Sequence, residues 1–262
     1  MKLTYIWHDG FLLETPEANI IFDYWKDVNS STPKFLADLD KEKPLLVLVS
    51  HHHKDHYNPE IFEWSSKFRD ITYILSKDTF HMARHMIVPG GIYKGPRRVS
   101  PEMVKILAPG DVSEKAGVKI EAFGSTDTGN SYLVTVNGRK IFHAGDLNAW
   151  VWKDESSPEE IKAATDAFTA IIDPIAAANG NLYIAMFPVD ARMGRDYWEG
   201  ASIFVRKFKT DYFVPMHFGL GKDMDEQLHF NYCATRFMEY ANPAYGDYVA
   251  LTGPYSCLET PD

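Results

Sequence analysis

Cysteine is scarce in this chain. Only Cys233 and Cys257 occur among 262 residues, too few and too late for a disulfide framework or a thiolate zinc cage. Such usage fits a reducing compartment, and the expected location is cytoplasmic. Long apolar runs are missing too. No stretch approaches the roughly 18 residues of a membrane span, and the opening Met1-Lys2-Leu3-Thr4-Tyr5-Ile6-Trp7-His8-Asp9 has no apolar signal-peptide core. The expectation is an unsecreted protein without a membrane partner. Positive charge is in deficit, with 27 Lys and Arg against 36 Asp and Glu and a net charge of −9, which disfavours nucleic acid as a partner. No repeat, low-complexity tract or Pro/Ser/Gly linker divides the chain, so a single domain over residues 1–262 is expected. A Gly-rich first turn and a strict strand-helix alternation are also lacking, which excludes a dinucleotide-binding fold. The remaining composition, 45% hydrophobic and 14% aromatic, is ordinary globular and supplies a substantial core.

Short β-branched and aromatic runs predict strands at residues 3–7, 11–14, 19–23, 45–49, 71–75, 104–107 and 118–123. Two more, at 131–136 and 140–144, flank Asn137-Gly138, a pair that tolerates positive φ at both positions and predicts a two-residue type I′ hairpin. Ser157-Pro158-Glu159-Glu160 combines a hydroxyl N-cap, Pro at the first helical position and Glu at the third. Ile161, Ala164, Phe168, Ile171 and Ile175 follow on one face, so a long amphipathic helix begins there. Residues 182–187 and 212–215 read as buried strands, and 197–208 and 225–240 as helices. Cys233 falls at helical spacing with Phe230, Phe237 and Tyr240, a core position. The pattern predicts an α/β (α+β) fold of mixed sheets with helices outside.

Directly after the apolar run 45–49 comes Ser50-His51-His52-His53-Lys54-Asp55-His56, four potential metal ligands within six residues at the end of a strand, where ligands collect. Imidazole and carboxylate together suit zinc, iron or manganese, and without Cys partners the site is expected to be open and catalytic. His81 and His85 stand four apart on a predicted helix, 78–86. Met82-Ala83-Arg84 between them lacks the Glu of a zincin, so packing or solvent is their assignment.

His51-x-His53-x-Asp55-His56 resembles the H-x-H-x-D-H signature of the metallo-β-lactamase superfamily. Phe142-His143-Ala144-Gly145-Asp146 is similar to its Gly-Asp motif, and Val214-Pro215-Met216-His217-Phe218-Gly219 to its final His motif. On their own, Gly-Asp after a strand is a common turn and a lone His217 a core histidine; three motifs in order are far more specific. The resemblance implies a four-layer αββα sandwich and a site for one or two divalent ions, with zinc first and manganese or iron as alternatives. His51 and His53 would serve one metal, Asp55, His56 and His217 the other, and Asp146 would bridge. Asp55 would also orient the nucleophile. The short opening strands, Pro109-Gly110-Asp111 before a strand and the modest size resemble the branch containing ascorbate-6-phosphate lactonase. One departure stands out. Where the family supplies a third His for the first metal, this chain has Phe123-Gly124-Ser125-Thr126-Asp127-Thr128-Gly129-Asn130. Either Asp127 replaces the imidazole as a seventh ligand, favouring harder metals, or Ser125 or Thr126 leaves the site one ligand short. His143 is assigned to support or packing, and for His8 two readings stay open, a polar residue near the site or a buried structural histidine.

The activity implied is a metal-bound hydroxide attacking a small ester-, lactone- or phosphoester-type substrate. Three alternatives share the scaffold: a phosphodiesterase or ribonuclease, a degenerate metal-binding protein without turnover, and an iron-dependent oxidoreductase. Net acidity weighs against RNA, retention of Asp55 and Asp146 against degeneracy, and the lack of a flavodoxin-like extension against the oxidoreductase. Arg192 and Arg195, with Trp150 and Trp152, are candidates to grip an anionic small molecule, set against surface ion pairing and packing under the hairpin. Lys94, Arg97 and Arg98 form a further basic cluster. The sequence leaves room for a homo-oligomer.

Overall fold

The computed structural model describes residues 1–29, 33–89, 93–239 and 247–261. Strands β1 (Lys2–Trp7), β2 (Gly10–Glu14) and β3 (Asn19–Phe22) are followed by a short helix, α1 (Phe35–Asp38), then β4 (Leu45–Val49), β5 (Ile71–Ser76), α2 (Lys77–Ile87) and β6 (Val104–Leu107). The second half runs β7 (Val112–Lys115), β8 (Val118–Phe123), β9 (Ser131–Val136), β10 (Arg139–His143), α3 (Pro158–Asn179) and β11 (Asn181–Pro188). It continues with α4 (Glu199–Lys207), β12 (Lys209–Met216), α5 (Met224–Arg236), β13 (Asp247–Tyr248) and β14 (Cys257–Glu259). Two seven-stranded sheets result, in the orders β14-β1-β2-β3-β4-β5-β6 and β13-β12-β11-β10-β9-β8-β7. Each is mixed. The first is antiparallel through β1–β3 and parallel from β3 to β6. The second is antiparallel through β7–β10 and parallel from β10 to β13. With helices on the outer faces this is the expected αββα sandwich.

Alternation along the strands builds the layers. In β4, Leu46 and Leu48 point into the core between the sheets, while Leu45, Val47 and Val49 join Trp64, Ala83 and Met86 in a second core beneath α2. A strand buried on both faces reads as a continuous apolar run, which explains 45–49. The inter-sheet core continues under α3 and α4, where Phe204 stacks on Phe208 at 4.3 Å and tilts against Phe187 at 4.6 Å. α3 starts at Ser157 with the predicted capping box and buries Phe168, Ile172 and Ile175, so Ile172 goes deeper than the neighbouring Ile171. Asn137 and Gly138 have φ of 51° and 73°, as the type I′ turn requires. Cys233, Phe230 and Phe237 are buried as expected; Tyr240 lies outside the described residues. Edge strands β7, β13 and β14 carry too few residues to show a period. No helix among the described residues is long and apolar enough to cross a membrane.

Parallel register is what assembles the site. Phe22 pairs Leu48 and the Asp23 N–H donates to Leu48 O, so Asp23 arrives beside the loop that follows β4. Pro188 pairs Met216, which brings the residues after β11 alongside the start of the segment after β12. The carboxyl ends of β3, β4, β10, β11 and β12 therefore deliver their next residues to one edge of the sandwich, together with the β1–β2 turn.

Candidate metal centre

Ser50 clamps the loops around the centre. Its N–H donates to Asp23 Oδ1 at 2.7 Å and its hydroxyl donates to Asp23 Oδ2. A Cβ on Gly129 would lie 2.1 Å from Ser50 O, and one on Gly145 2.8 Å from Ser50 Cβ; both glycines have positive φ. Only glycine fits at either position, and the β8–β9 loop and the end of β10 close on the His-rich loop as a result. The three consecutive histidines then split by role. His52 turns away onto Asp78, 2.9 Å from its Oδ2, while His51 and His53 face inward.

The two inward histidines form the open half of the centre. His51 Nδ1 is 3.0 Å from the Ser50 hydroxyl, and its Nε2 lies 3.0 Å from His53 Nδ1 and 3.4 Å from Asp146 Oδ2. Asp127 Oδ2 stands 3.3 Å from His53 Nδ1. Ser125 and Thr126 are occupied elsewhere: the Asp127 N–H donates to Ser125 Oγ, and Thr126 Oγ1 donates to Asn148 O and accepts from Asn148 N–H. Asp127 is thus the residue the structure brings to His51, His53 and Asp146, all four with ligand atoms within 4.8 Å of one another. This half is wet, with the side chains of His53 and Asp127 45% and 42% exposed.

The other half is buried. Asp146 Oδ1 lies 3.0 Å from His56 Nε2 and 3.0 Å from His217 Nε2, and none of these three atoms has a hydrogen-bond partner. The far nitrogens are spoken for. His56 Nδ1 is 2.8 Å from Asp23 Oδ2, and His217 Nδ1 is 3.0 Å from Asp190 Oδ2. A carboxylate on Nδ1 fixes each ring and leaves the Nε2 lone pair for a cation. Burial opposes charge on both rings, but Asp146 and Asp9 outweigh it and hold His56 and His217 well above the ordinary imidazole value. Burial likewise opposes ionisation of Asp146, and His217 and His56 more than reverse it, so its carboxyl sits well below the usual range. Asp190 is also depressed against burial, by His217 and Arg192. Asp55, grouped with His8, His56 and His217, is held low against burial by His8 and His56.

The donor set fits a metal. Tetrahedral N and O ligands at 2.0–2.1 Å stand about 3.3 Å apart, and the separations across both halves run from 3.0 to 3.4 Å. The two oxygens of Asp146 face different halves. Backbone strain collects here as well, since His8, Asp23, Trp150 and His217 all have positive φ, from 39° to 67°, a conformation that side-chain-bearing residues hold only where surroundings impose it.

Neither motif nor spacing marks Asp9, Asp23 or Asp190 as site residues, and for His8 the sequence leaves two readings open. His8 is fully buried, and its Nδ1 accepts the Gly219 N–H at 3.0 Å. Burial, followed by the neighbouring His217, lowers its pKa to about 3. The neutral ring then carries its proton on Nε2, 3.6 Å from Asp55 Oδ2, which makes His8 a hydrogen-bond donor toward the site and unsuited to ligation through Nε2. His143 donates from Nε2 to Asp9 O at 2.9 Å, accepts the Gly145 N–H, and stacks on Phe22, the supporting role expected of it. His81 and His85 are exposed. Of the two candidate arginines, Arg192 clasps Asp190, while Arg195 is 85% exposed and 3.6 Å from Asp154. Trp150 donates from its indole to Asp146 O and sets its ring edge-on to His217 at 5.3 Å, and Trp152 packs against the inter-sheet core. In the remaining basic cluster Arg97 pairs with Glu63, and Arg98 donates to Val88 O and Tyr93 O.

A family model described as a Beta-lactamase superfamily domain matches residues 2–217. A UPF0173 metal-dependent hydrolase from Desulforamulus reducens is 25% identical over 148 residues, 56% of this chain and 62% of that protein. The chain thus matches less than two thirds of that relative's length. Among solved structures, a metallo hydrolase from the hyperthermophilic archaeon Ignicoccus hospitalis superposes with a TM-score of 0.63 at 16% identity, covering 99% of both chains. A diiron beta-hydroxylase from Streptomyces venezuelae gives 0.64 at 14% identity, over 99% of this chain and 54% of the other. At such identities the two structures speak to the fold.

Proposed function

The chain belongs to the metallo-β-lactamase superfamily, and from that premise we propose that it is a metal-dependent hydrolase of small ester-, lactone- or phosphoester-type molecules. Its centre would hold two cations that share Asp146. The observation that carries this reading is the convergence of His56 Nε2 and His217 Nε2 on Asp146 Oδ1, each 3.0 Å from it and all three buried yet without a hydrogen-bond partner, since one cation between them would satisfy all three. Bound cations would supply a water of lowered pKa and a Lewis acid for the developing oxyanion. The protein's own contribution is positional. Asp23 and Asp190 orient His56 and His217. Asp55, ionised and 26% exposed, faces the accessible side, where it can accept a proton and align the attacking water. His8 offers a fixed Nε2–H beside it. A lactone of a phosphorylated sugar acid is the narrowest substrate consistent with the lactonase-like sequence features, and the ring of Trp150 would form one wall of its site.

A second reading draws on Asp127. An oxygen donor in the open half shifts preference toward iron or manganese, and one neighbour of this fold is named a diiron beta-hydroxylase, so oxidative chemistry at an iron pair is the competing activity. One experiment separates them. Protein loaded with zinc, manganese or iron is assayed on chromogenic ester, lactone and phosphodiester substrates, with oxygen uptake followed in parallel. The hydrolase reading expects turnover with at least one metal and loss of roughly 10²–10⁴-fold in Asp55→Ala, the range for a positioned proton acceptor. Unchanged turnover in a folded Asp55→Ala overturns the role of Asp55; oxygen uptake without hydrolysis favours the second reading.

A further inference from the structure

Asp9 is a buried acid to which the centre described above gives no role. Its side chain is fully buried and neither carboxylate oxygen has a hydrogen-bond partner. The groups it faces are those of the buried half: Oδ2 lies 3.9 Å from His217 Nε2, the nitrogen turned to the centre, and 3.3 Å from His56 Nδ1, the nitrogen that Asp23 also faces. Asp9, His56, Asp146 and His217 offer four ligand atoms within 4.8 Å of one another, all from buried residues. Burial works against the Asp9 carboxylate, and what offsets it is positive charge among the groups it faces, on His56, on His217 or on a cation held between them.

The carboxylate cannot turn outward. Asp9 sits in the tight β1–β2 turn, where Tyr5 Oη accepts the His8 N–H at 2.8 Å, His143 Nε2 donates to Asp9 O at 2.9 Å, and His8 O accepts the His217 N–H at 3.4 Å. The next residue, Gly10, lets the turn close: a Cβ there would stand 2.9 Å from Trp7 O and 3.2 Å from Asp23 O. Held at both ends, the turn aims Asp9 at His56 and His217.

We propose that Asp9 is an additional carboxylate ligand of the cation in the buried half. This rests on the metal-centre reading and extends it. Two imidazoles with Asp9 and Asp146 make an N₂O₂ set, and since Asp146 is shared between the halves, Asp9 supplies the carboxylate that the buried half has to itself, without Asp55. Asp55 is then left free to meet water and substrate on the accessible side. The added oxygen also moves this half toward harder metals such as manganese or iron(II).

The test is metal retention. Wild type, Asp9→Asn and Asp146→Asn are loaded with zinc or manganese, dialysed against graded chelator and measured by elemental mass spectrometry, with melting temperatures recorded with and without metal. Asp9→Asn is expected to lose one cation at a chelator concentration at least about tenfold lower than wild type, with a smaller metal-induced rise in melting temperature and a greater loss for manganese than for zinc. Equal retention and an equal rise overturn the assignment and make Asp9 a buried neutral acid. Should Asp9→Asn fail to fold, Asp9→Ser, which removes the carboxylate and admits a water, takes the same measurements. A wild type that retains no cation overturns the metal-centre reading itself, an outcome distinct from retention that Asp9→Asn leaves unchanged.

Discussion

In the buried half of the centre each imidazole has a carboxylate behind it, Asp23 at His56 and Asp190 at His217. In the open half His51 leans on the hydroxyl of Ser50, and His53 has no carboxylate behind it other than Asp127 among the described residues. The candidate ligands are of the same types, so the difference lies in what stands around them. Buried rings locked by charged partners are pre-ordered for a cation and lose little freedom on binding. Asp127 and His53 are nearly half exposed and sit on loops, so an ion held there would have to order them. The buried half should therefore retain its cation tightly and the open half should exchange it. Asp146 alone belongs to both, one oxygen to each.

Asp146→Asn is the largest way to break that comparison. Removing the shared charge should empty both halves together and take hydrolysis to background, read as metal equivalents and turnover on the same preparation. Retention of one full equivalent would show that the halves are independent. Asp127→Ala should act on one side only, lowering two equivalents toward one while the chelator-resistant cation stays; content unaffected by the change would remove Asp127 from the open half. Asp23→Asn and Asp190→Asn reverse the pattern. Each should weaken the tightly held cation by roughly 10–100-fold, the range for supporting groups, and leave the exchanging one in place. Equal weakening of both cations would count against a division into halves.

The fold and the candidate site residues that lie in local motifs are legible in the sequence. The apolar run 45–49 and the Asn137-Gly138 turn are set by burial and by φ, so both are visible within a few residues. His51, His53, Asp55, His56, Asp146 and His217 were legible through three motifs in order, and the structure brings them to one edge of the sandwich. Asp127 stands out as a candidate because residues 123–130 lack the imidazole that the resemblance leads one to expect, and it lies 3.3 Å from His53 Nδ1. Asp9, Asp23 and Asp190 were not legible, because their roles come from strand register: Asp23 meets His56 only once Phe22 pairs Leu48, and Asp190 meets His217 only once Pro188 pairs Met216. Single acidic residues at strand ends carry no spacing signal. A hint was present in their position one or two residues past a buried strand, where backbone and charge are delivered to the site.

The two arginines give the smallest and sharpest contrast. Arg192 and Arg195 are three residues apart and looked alike in sequence, yet Arg192 grips Asp190, which in turn holds His217, whereas Arg195 reaches an exposed Asp154 at 3.6 Å. Arg195→Ala should leave metal retention, turnover and melting temperature within error, since an exposed pair of that kind contributes about 0–1 kcal/mol. Arg192→Ala should not be silent. Without the guanidinium, Asp190 keeps the His217 ring and the Arg192-position backbone N–H, so orientation survives in part, and retention of the tightly held cation should fall by less than in Asp190→Asn. If instead Arg192→Ala raises KM for anionic substrates and leaves retention untouched, the side chain faces the substrate as the sequence suggested. The buried half would then depend on Asp190 without the arginine behind it.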